Sequence, residues 1–333
     1  MTAAETLRVA AVLDATGASA ERHARALGGF LAAGLTLADG VELAAVTCLF
    51  AAGDGADRLV RLAPTRDVRL VHAPPHRPDV IAAALTAFEA GGGADLFVFP
   101  AGPSGTEVAA RLAAHAGGSL LTGVLSADFT EWRLTCRRPV FSGHLTGEFA
   151  LGPRPWCLVL DAAWADARPA PPEEHAVEAR AELTADDVAT PPPLLEIEPL
   201  EAAPTGDLET ARFLVVAGRG VGSRGGADRI AAAAVRMGAA FGATRPVVMN
   251  AWAAPDRQIG VSGTRTAPDV CVVAGASGAP ALMWGIERAG FIAAVDTDED
   301  APIAGECDAF VAGDAVAVLE ALAGLVIPAE DER

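Results

Sequence analysis

Short apolar runs alternate with alanine-rich amphipathic ones along most of the chain. In the first 160 residues LRVAAVLDA, VELAAVTCLF, RLVHA and DLFVFPAG have strand character, while AERHARALGGFLAAGL, PDVIAAALTAFEAGG and TEVAARLAAHAGG carry apolar residues at helical spacing. That alternation predicts a doubly wound α/β sheet. After Val124 the pattern turns strand-rich, through WRLTCRRPVFSGHLTGEFAL and PWCLVLDAAW, as expected of a small antiparallel extension that closes the domain.

Residues 162–193 are rich in proline, alanine and acids and poor in large apolar groups, which reads as a surface connection between domains or as a loop insertion. LLEIEPL then reads as a strand returning to the first domain. From Ala211 the rhythm restarts with RFLVVAGRGVGS, ADRIAAAAVRMGAAFG, RPVVMNAW, DVCVVAGASGAPALMWGIERAG, FIAAVDTDEDAPI and CDAFVAGDAVAVLEALAGL. The expected organisation is an N-terminal doubly wound α/β domain over 1–161, a linker over 162–207, and a C-terminal parallel-sheet domain over 208–333. A length of 333 residues suits two cores better than one.

In an open parallel sheet the ligand crevice lies beyond the strand C-termini, so the turns of the second domain are the candidates for chemistry. VVAGRGVGS places Gly218, Arg219 and Gly220 at a strand end, but Ser223 occupies the third glycine of a dinucleotide fingerprint. Thr244 and Arg245 form another turn, and Gln258 and Ser262 stand in DRQIGVSGTRTAPD, which has neither helical nor strand period. GASGAP offers backbone N–H groups at a helix start, with Ser277 as an extra donor and Pro280 in the first turn. Asp296 and Asp314 each follow an apolar run, where a carboxylate accepts from a ribose hydroxyl or caps a helix.

Composition narrows the classes. A net charge of −18 argues against a nucleic-acid backbone as partner. No lysine occurs, so Schiff-base and Walker-type chemistry are excluded, and every cationic contact to a ligand must come from arginine. The five cysteines are scattered without a CxxC pair and read as buried reduced thiols, and the six histidines form no metal-binding spacing. No long apolar run and no basic leader segment appear, so a cytoplasmic protein that is not inserted in a membrane is expected.

None of the turns is specific alone, but their order and spacing are. The set GRG, GATR, QIGVSG, APD, GASGA, D-APIA and the final Asp314 closely resembles the α subunit of electron transfer flavoproteins, the FixB family, almost continuously from Leu208 to Leu325. The first domain resembles it more loosely, through DLFVFPAGPSGTEVAARLA and RPVFSGH. The resemblance implies that the second domain binds FAD and that a β subunit carrying AMP or a second FAD is the partner. It also implies a donor dehydrogenase and an acceptor oxidoreductase, with electrons shuttled between them and no substrate turnover by the chain itself.

Carried over by position, the resemblance implies FAD contacts at Arg219, at Thr244 and Arg245, and at Ile259, Gly260, Val261 and Ser262. Arg245 would lie against the isoalloxazine and the Ser262 hydroxyl would reach flavin N5. Gln258 is retained, Ser277, Gly278 and Ala279 follow the pyrophosphate, and Asp314 stands near the adenosine end. Leu282 replaces a histidine that meets the flavin O2, Val261 a glutamine, Ser262 a threonine, Asp296 an asparagine and Thr297 a lysine. Losing donors and a cation disfavours an anionic reduced flavin, so a lower potential for the semiquinone couple than in typical members is expected. Two other readings stay open: a subunit that has lost the FAD site and keeps a structural or nucleotide-binding role, and an NAD-binding enzyme.

Overall fold

The computed structural model describes residues 5–14, 20–51, 60–61, 63–72, 77–141, 143, 145–166, 179–182 and 207–325. They fall into two compact units, Met1–Leu195 and Glu196–Arg333.

The strands of the first unit are β1 (Glu5–Asp14), β2 (Leu35–Leu37), β3 (Val41–Ala51), β4 (Asp67–His72), β5 (Leu96–Phe99), β6 (Ser119–Val124), β7 (Ser126–Thr130), β8 (Arg133–Val140), β9 (Leu145–Ala150), β10 (Trp156–Leu160) and β11 (Ala179–Glu182). Its helices are α1 (Ala20–Gly29), α2 (Pro78–Ala90), α3 (Pro103–Ala116) and the short α4 (Ala163–Asp166). Seven strands form a parallel sheet in the order β11-β4-β3-β1-β5-β10-β6. Both faces are covered, which is why β1 is apolar at consecutive positions. Leu7, Val9, Ala11 and Leu13 enter one core with α1, whereas Ala10 and Val12 enter the other with α2 and α3.

The antiparallel extension is β7-β8-β9, with β2 added parallel to β7. PWCLVL does not belong to it. As β10 it returns to the parallel sheet between β5 and β6, where all five of its residues are buried. Nor is 162–207 only a connection, because β11 lies within it and extends the sheet edge on β4. The expected strand LLEIEPL lies outside the described residues.

Asp95 clamps the starts of three neighbouring strands. Its carboxylate, 4% exposed, accepts from the Arg8 Nε and Nη2 at 2.9 and 2.8 Å and from the Arg154 Nη1 at 3.0 Å, and its main chain bonds Arg8 and Trp156. Burial alone would raise the carboxyl pKa. The bonds from the side chain and backbone of Arg8, with the charges of Arg8 and Arg154, instead hold it below its ordinary 3.8.

The second unit has five parallel strands, β12 (Phe213–Ala217), β13 (Ala240–Ala243), β14 (Val270–Ala274), β15 (Ile292–Asp296) and β16 (Ala309–Ala312), in the order β13-β12-β14-β15-β16. Its helices are α5 (Arg224–Arg236), α6 (Arg245–Met249), α7 (Pro280–Ile286), α8 (Ile303–Glu306) and α9 (Ala315–Leu325). Val215 and Ala217 face a core built with Ile230 of α5 and Leu319 of α9, and Leu214 and Val216 face a second core with Ile259, Leu282, Ile286 and Ile303. Arg229 pairs with Glu320 and ties α5 to α9 at the surface.

Buried thiols occur in both units. Cys48, Cys136, Cys157 and Cys271 are free, and burial pushes each up to about 12, so they remain protonated and inert near neutrality.

The Asp95 clamp yields a prediction with a definite sign. A carboxyl depressed in the folded state stabilises above its unfolded pKa, and that contribution disappears as pH falls through the lower folded value. Asp95→Ala therefore costs about 2 kcal/mol at pH 7, discounted because both arginines stay half exposed. Thermal melts of both proteins should differ at neutral pH and converge below about pH 4; a gap that widens in acid contradicts the assignment.

Candidate functional site

Because the five strands are parallel, their C-terminal ends share one edge of the sheet. Arg219 follows β12, Thr244 and Arg245 follow β13, Ser277 to Ala279 follow β14, Asp296 ends β15, and Asp314 follows β16. Candidates spread over nearly a hundred residues thus stand along a single edge. The chain reverses direction across the sheet between β12 and β14, leaving a crevice at that switch point.

The turns after β12 and β14 touch through bare backbone. Gly218 N–H donates to Ala274 C=O at 2.8 Å and Gly220 N–H to Gly275 C=O at 2.7 Å. A Cβ on Gly218 would lie 2.2 Å from the Gly275 oxygen, and one on Gly220 would lie 2.8 Å from it. Gly275 itself has φ +70°, a left-handed backbone with Gly220 and Val221 in its path. The glycines of GRG are thus spent on contact between two turns. N–H groups left for a ligand lie further on: among the described residues no backbone acceptor takes the N–H of Ala276, Ser277, Gly278 or Ala279.

Side chains at this edge also lack partners. Among the described residues the buried Thr244 Oγ1 has no partner, with the residue only 6% exposed. Such a hydroxyl costs stability unless something bonds it. Arg219 and Arg245 are exposed, and neither has an ion-pair partner among the described residues. An orphaned hydroxyl, free amides and two free guanidinium groups together fit an extended anionic ligand with polar ring edges.

The loop after α6 is held rigidly beside β13. Ile259 N–H donates to Ala243 C=O at 2.9 Å, Thr264 N–H to Gln258 C=O at 2.7 Å, Gly263 N–H to Gly260 C=O at 2.9 Å, and Val261 N–H to Ala281 C=O at 3.0 Å. Gly260 has φ +124°, and a Cβ there would lie 2.4 Å from the Ala281 oxygen. The loop therefore seats directly on the first turn of α7. At its tip Val261 is 51% exposed, and the Gln258 Nε2 donates to the Ser262 Oγ at 2.7 Å.

Three candidates face the interior. Ile259 and Leu282, the latter 5% exposed, pack in the same apolar core, and Gly278, at φ +82°, presses on Ile303. Leu282 thus anchors the loop by packing beneath it. Asp314 caps α9, accepting from Ala317 N–H at 2.8 Å, and Asp296 accepts from Asp298 N–H in a turn. Thr266, absent from the sequence-based candidates, is buried and donates to the Leu208 C=O at 2.9 Å. Arg265 lies 3.9 Å from the Trp284 ring centre and pairs with Glu287, so it also braces α7. The apolar surroundings of both are long-range, and TRTAP by itself carries no sign of them.

The backbone contact at the switch point predicts unequal costs for two glycine substitutions. Gly218→Ala forces the two turns apart and destabilises by roughly 2–3 kcal/mol. Gly222→Ala, at φ +80° but facing open space, costs only about 1 kcal/mol of backbone strain. Urea denaturation of the two variants measures the difference; equal costs would show that the turns do not constrain one another.

Known proteins share this organisation. The model of the electron transfer flavoprotein FAD-binding domain matches residues 207–287, and that of the electron transfer flavoprotein domain matches residues 28–188. The chain is 35% identical over 233 residues to YgcQ of Escherichia coli strain K12, named for an electron transfer flavoprotein subunit, covering 69% of this chain and 77% of YgcQ. It is 30% identical over 283 residues to the electron transfer flavoprotein subunit alpha of Mycobacterium leprae, covering 84% of this chain and 80% of that protein. Against protein FixB of Azorhizobium caulinodans the identity is 31% over 229 residues, with 65% and 60% covered. With one relative above 30% identity matched over three quarters of its length and family models on both units, the chain belongs to the electron transfer flavoprotein α-subunit family.

Proposed function

We infer that this chain is the flavin-carrying α subunit of an electron transfer flavoprotein, working with a β subunit between a donor dehydrogenase and a downstream acceptor. The observation that carries the reading is the convergence, on one sheet edge, of groups without partners among the described residues: the buried Thr244 hydroxyl, Arg219 and Arg245, and the amides after β14. FAD, when bound, supplies the redox chemistry, and the protein supplies binding, orientation and electrostatics.

The chain's own residues have separable tasks. Arg245 would lie against the isoalloxazine, its fixed positive charge favouring electron-rich forms, while the Thr244 hydroxyl would bond a polar edge. Ser262 would present its hydroxyl to N5. The amides of Ala276 to Ala279 and the side chain of Ser277 would receive the pyrophosphate, with Arg219 adding a charge-assisted contact. Asp296 and Asp314, which already bond backbone amides, retain acceptor capacity for the adenosine end. Val261 and Leu282 bring no donor to the ring, which supports a lower potential than in relatives with a glutamine and a histidine there.

The partner's own nucleotide would be AMP, or a second FAD. Among the described residues no helix is long and apolar enough to cross a membrane.

The visible spectrum of the chain purified with its β subunit tests the reading. Flavin absorbance in proportion to protein is expected, and a colourless complex that also refuses added FAD overturns it. Within a coloured complex, Arg245→Met should weaken FAD binding about tenfold, roughly 1.4 kcal/mol, by removing a charged contact. Dialysis against dilute protein measures the loss, and unchanged retention removes Arg245 from the site.

A further inference from the structure

Between α5, the end strand β13 and the segment that follows α6 lies a cavity of about 320 Å³. None of its lining residues belongs to the crevice candidates. Its volume falls at the lower end of the roughly 300–1,000 Å³ of small-molecule sites. The floor is apolar. Phe241 of β13 is buried, Trp252 is half-buried, and Ala231 leaves space that a longer side chain on α5 would fill. The aromatic wall is tied to α6, because Trp252 N–H donates to Val247 C=O at 3.0 Å and Ala251 N–H to Val248 C=O at 2.9 Å. Ala251 adopts φ +55° to make that turn, a left-handed backbone in the wall of the cavity.

Arg224 and Asp228 stand at the mouth. With Ala231 they have the four- and three-residue spacing of one stripe of α5, and all three line the cavity. Opposite charges four residues apart are placed to pair, yet among the described residues neither Arg224 nor Asp228 has an ion-pair or hydrogen-bond partner. Their order is one reason, since a cation that precedes its anion makes the weaker of the two possible helix pairs. Arg257, the third charged group of the lining, is already engaged: its Nε and Nη2 donate to the Asp256 Oδ2 at 3.1 and 2.8 Å. The cavity thus presents one cation and one anion without protein partners above an apolar floor.

We propose that this cavity binds a free α-amino acid with an apolar side chain, such as leucine or phenylalanine. The carboxylate would meet Arg224, the ammonium would meet Asp228, and the side chain would lie on Phe241, Trp252 and Ala231. The two residues are separated by about 6 Å along the helix axis, a distance that the long arginine side chain closes. A ligand with a single charge satisfies only one of them, whereas a zwitterion satisfies both and brings no net charge. A protein C-terminus carries the carboxylate without the ammonium, and an N-terminus the reverse, so the free amino acid is the better match.

Equilibrium dialysis of radiolabelled L-leucine against the chain purified with its β subunit tests the site. One leucine per complex is expected. Leucinamide, which lacks the carboxylate, and N-acetyl-leucine, which lacks the ammonium, should each compete about tenfold more weakly than leucine itself. Substitutions then assign the charges. Asp228→Asn should weaken leucine about tenfold and leave N-acetyl-leucine unchanged, and Arg224→Met should weaken leucine by a similar factor and leave leucinamide unchanged. Both residues are exposed, so neither substitution disturbs the core.

Failure of both leucine and phenylalanine to bind saturably at millimolar concentration overturns the proposal. So does N-acetyl-leucine or leucinamide binding as tightly as leucine. Equal losses for all three leucine compounds in a variant would mean that the residue acts through the fold, and would overturn it as well. The test is independent of the flavin: a colourless complex that binds leucine defeats the functional reading alone, whereas a flavin-loaded complex that ignores both amino acids defeats this proposal alone.

Discussion

The second unit depends on a backbone contact that only glycine permits. At the switch point the turns leaving β12 and β14 approach so closely that Gly220 bonds Gly275 directly, and a Cβ on Gly218 would overlap the Gly275 oxygen. The contact binds the two central strands beyond their last ladder pair. The turns that carry the polar groups are thereby tied to one another. A side chain at any of these three positions would open the crevice and lose the register between Arg219 and Ser277. Preorganisation of this kind means that a ligand need not pay to order its own site.

Two arginines at that edge are left without carboxylate partners among the described residues. In a chain of net charge −18, arginines such as Arg8, Arg77, Arg111, Arg212 and Arg229 are paired with carboxylates. Arg219 and Arg245 are exposed and without such partners among the described residues. An anionic dinucleotide therefore finds two cations that no carboxylate neutralises, in a setting whose overall charge repels anions elsewhere.

Much of this was legible in the sequence, and what was not has physical reasons. Alternation of apolar and alanine-rich runs reports local burial, so both α/β units and the placing of candidate turns at strand ends follow from it. Strand order is a long-range property. PWCLVL therefore joined its antiparallel neighbours in the sequence reading, although its continuous apolar character suits the doubly covered position it holds between β5 and β6. Ala179–Glu182 is only four residues long and holds no large apolar group, and it was absorbed into a linker. At the site, Leu282 and Ile259 read as pocket positions by correspondence, yet they pack in the core that supports the loop. The Gln258–Ser262 bond and the orphaned Thr244 hydroxyl are invisible to pattern, since each depends on which neighbour a polar atom meets. Residue type indicates that a donor exists but carries no record of where its hydrogen points.

The central claim is that the edge formed by β12 to β16 holds FAD. A crystal structure of the complex with its β subunit, grown with FAD, tests it most directly. The account predicts flavin density with the isoalloxazine between Arg245 and the Ser262 loop and the pyrophosphate against the amides after β14. Well-ordered FAD bound elsewhere, with Thr244 still unpaired and this edge filled by solvent or by the partner's own side chains, would contradict it.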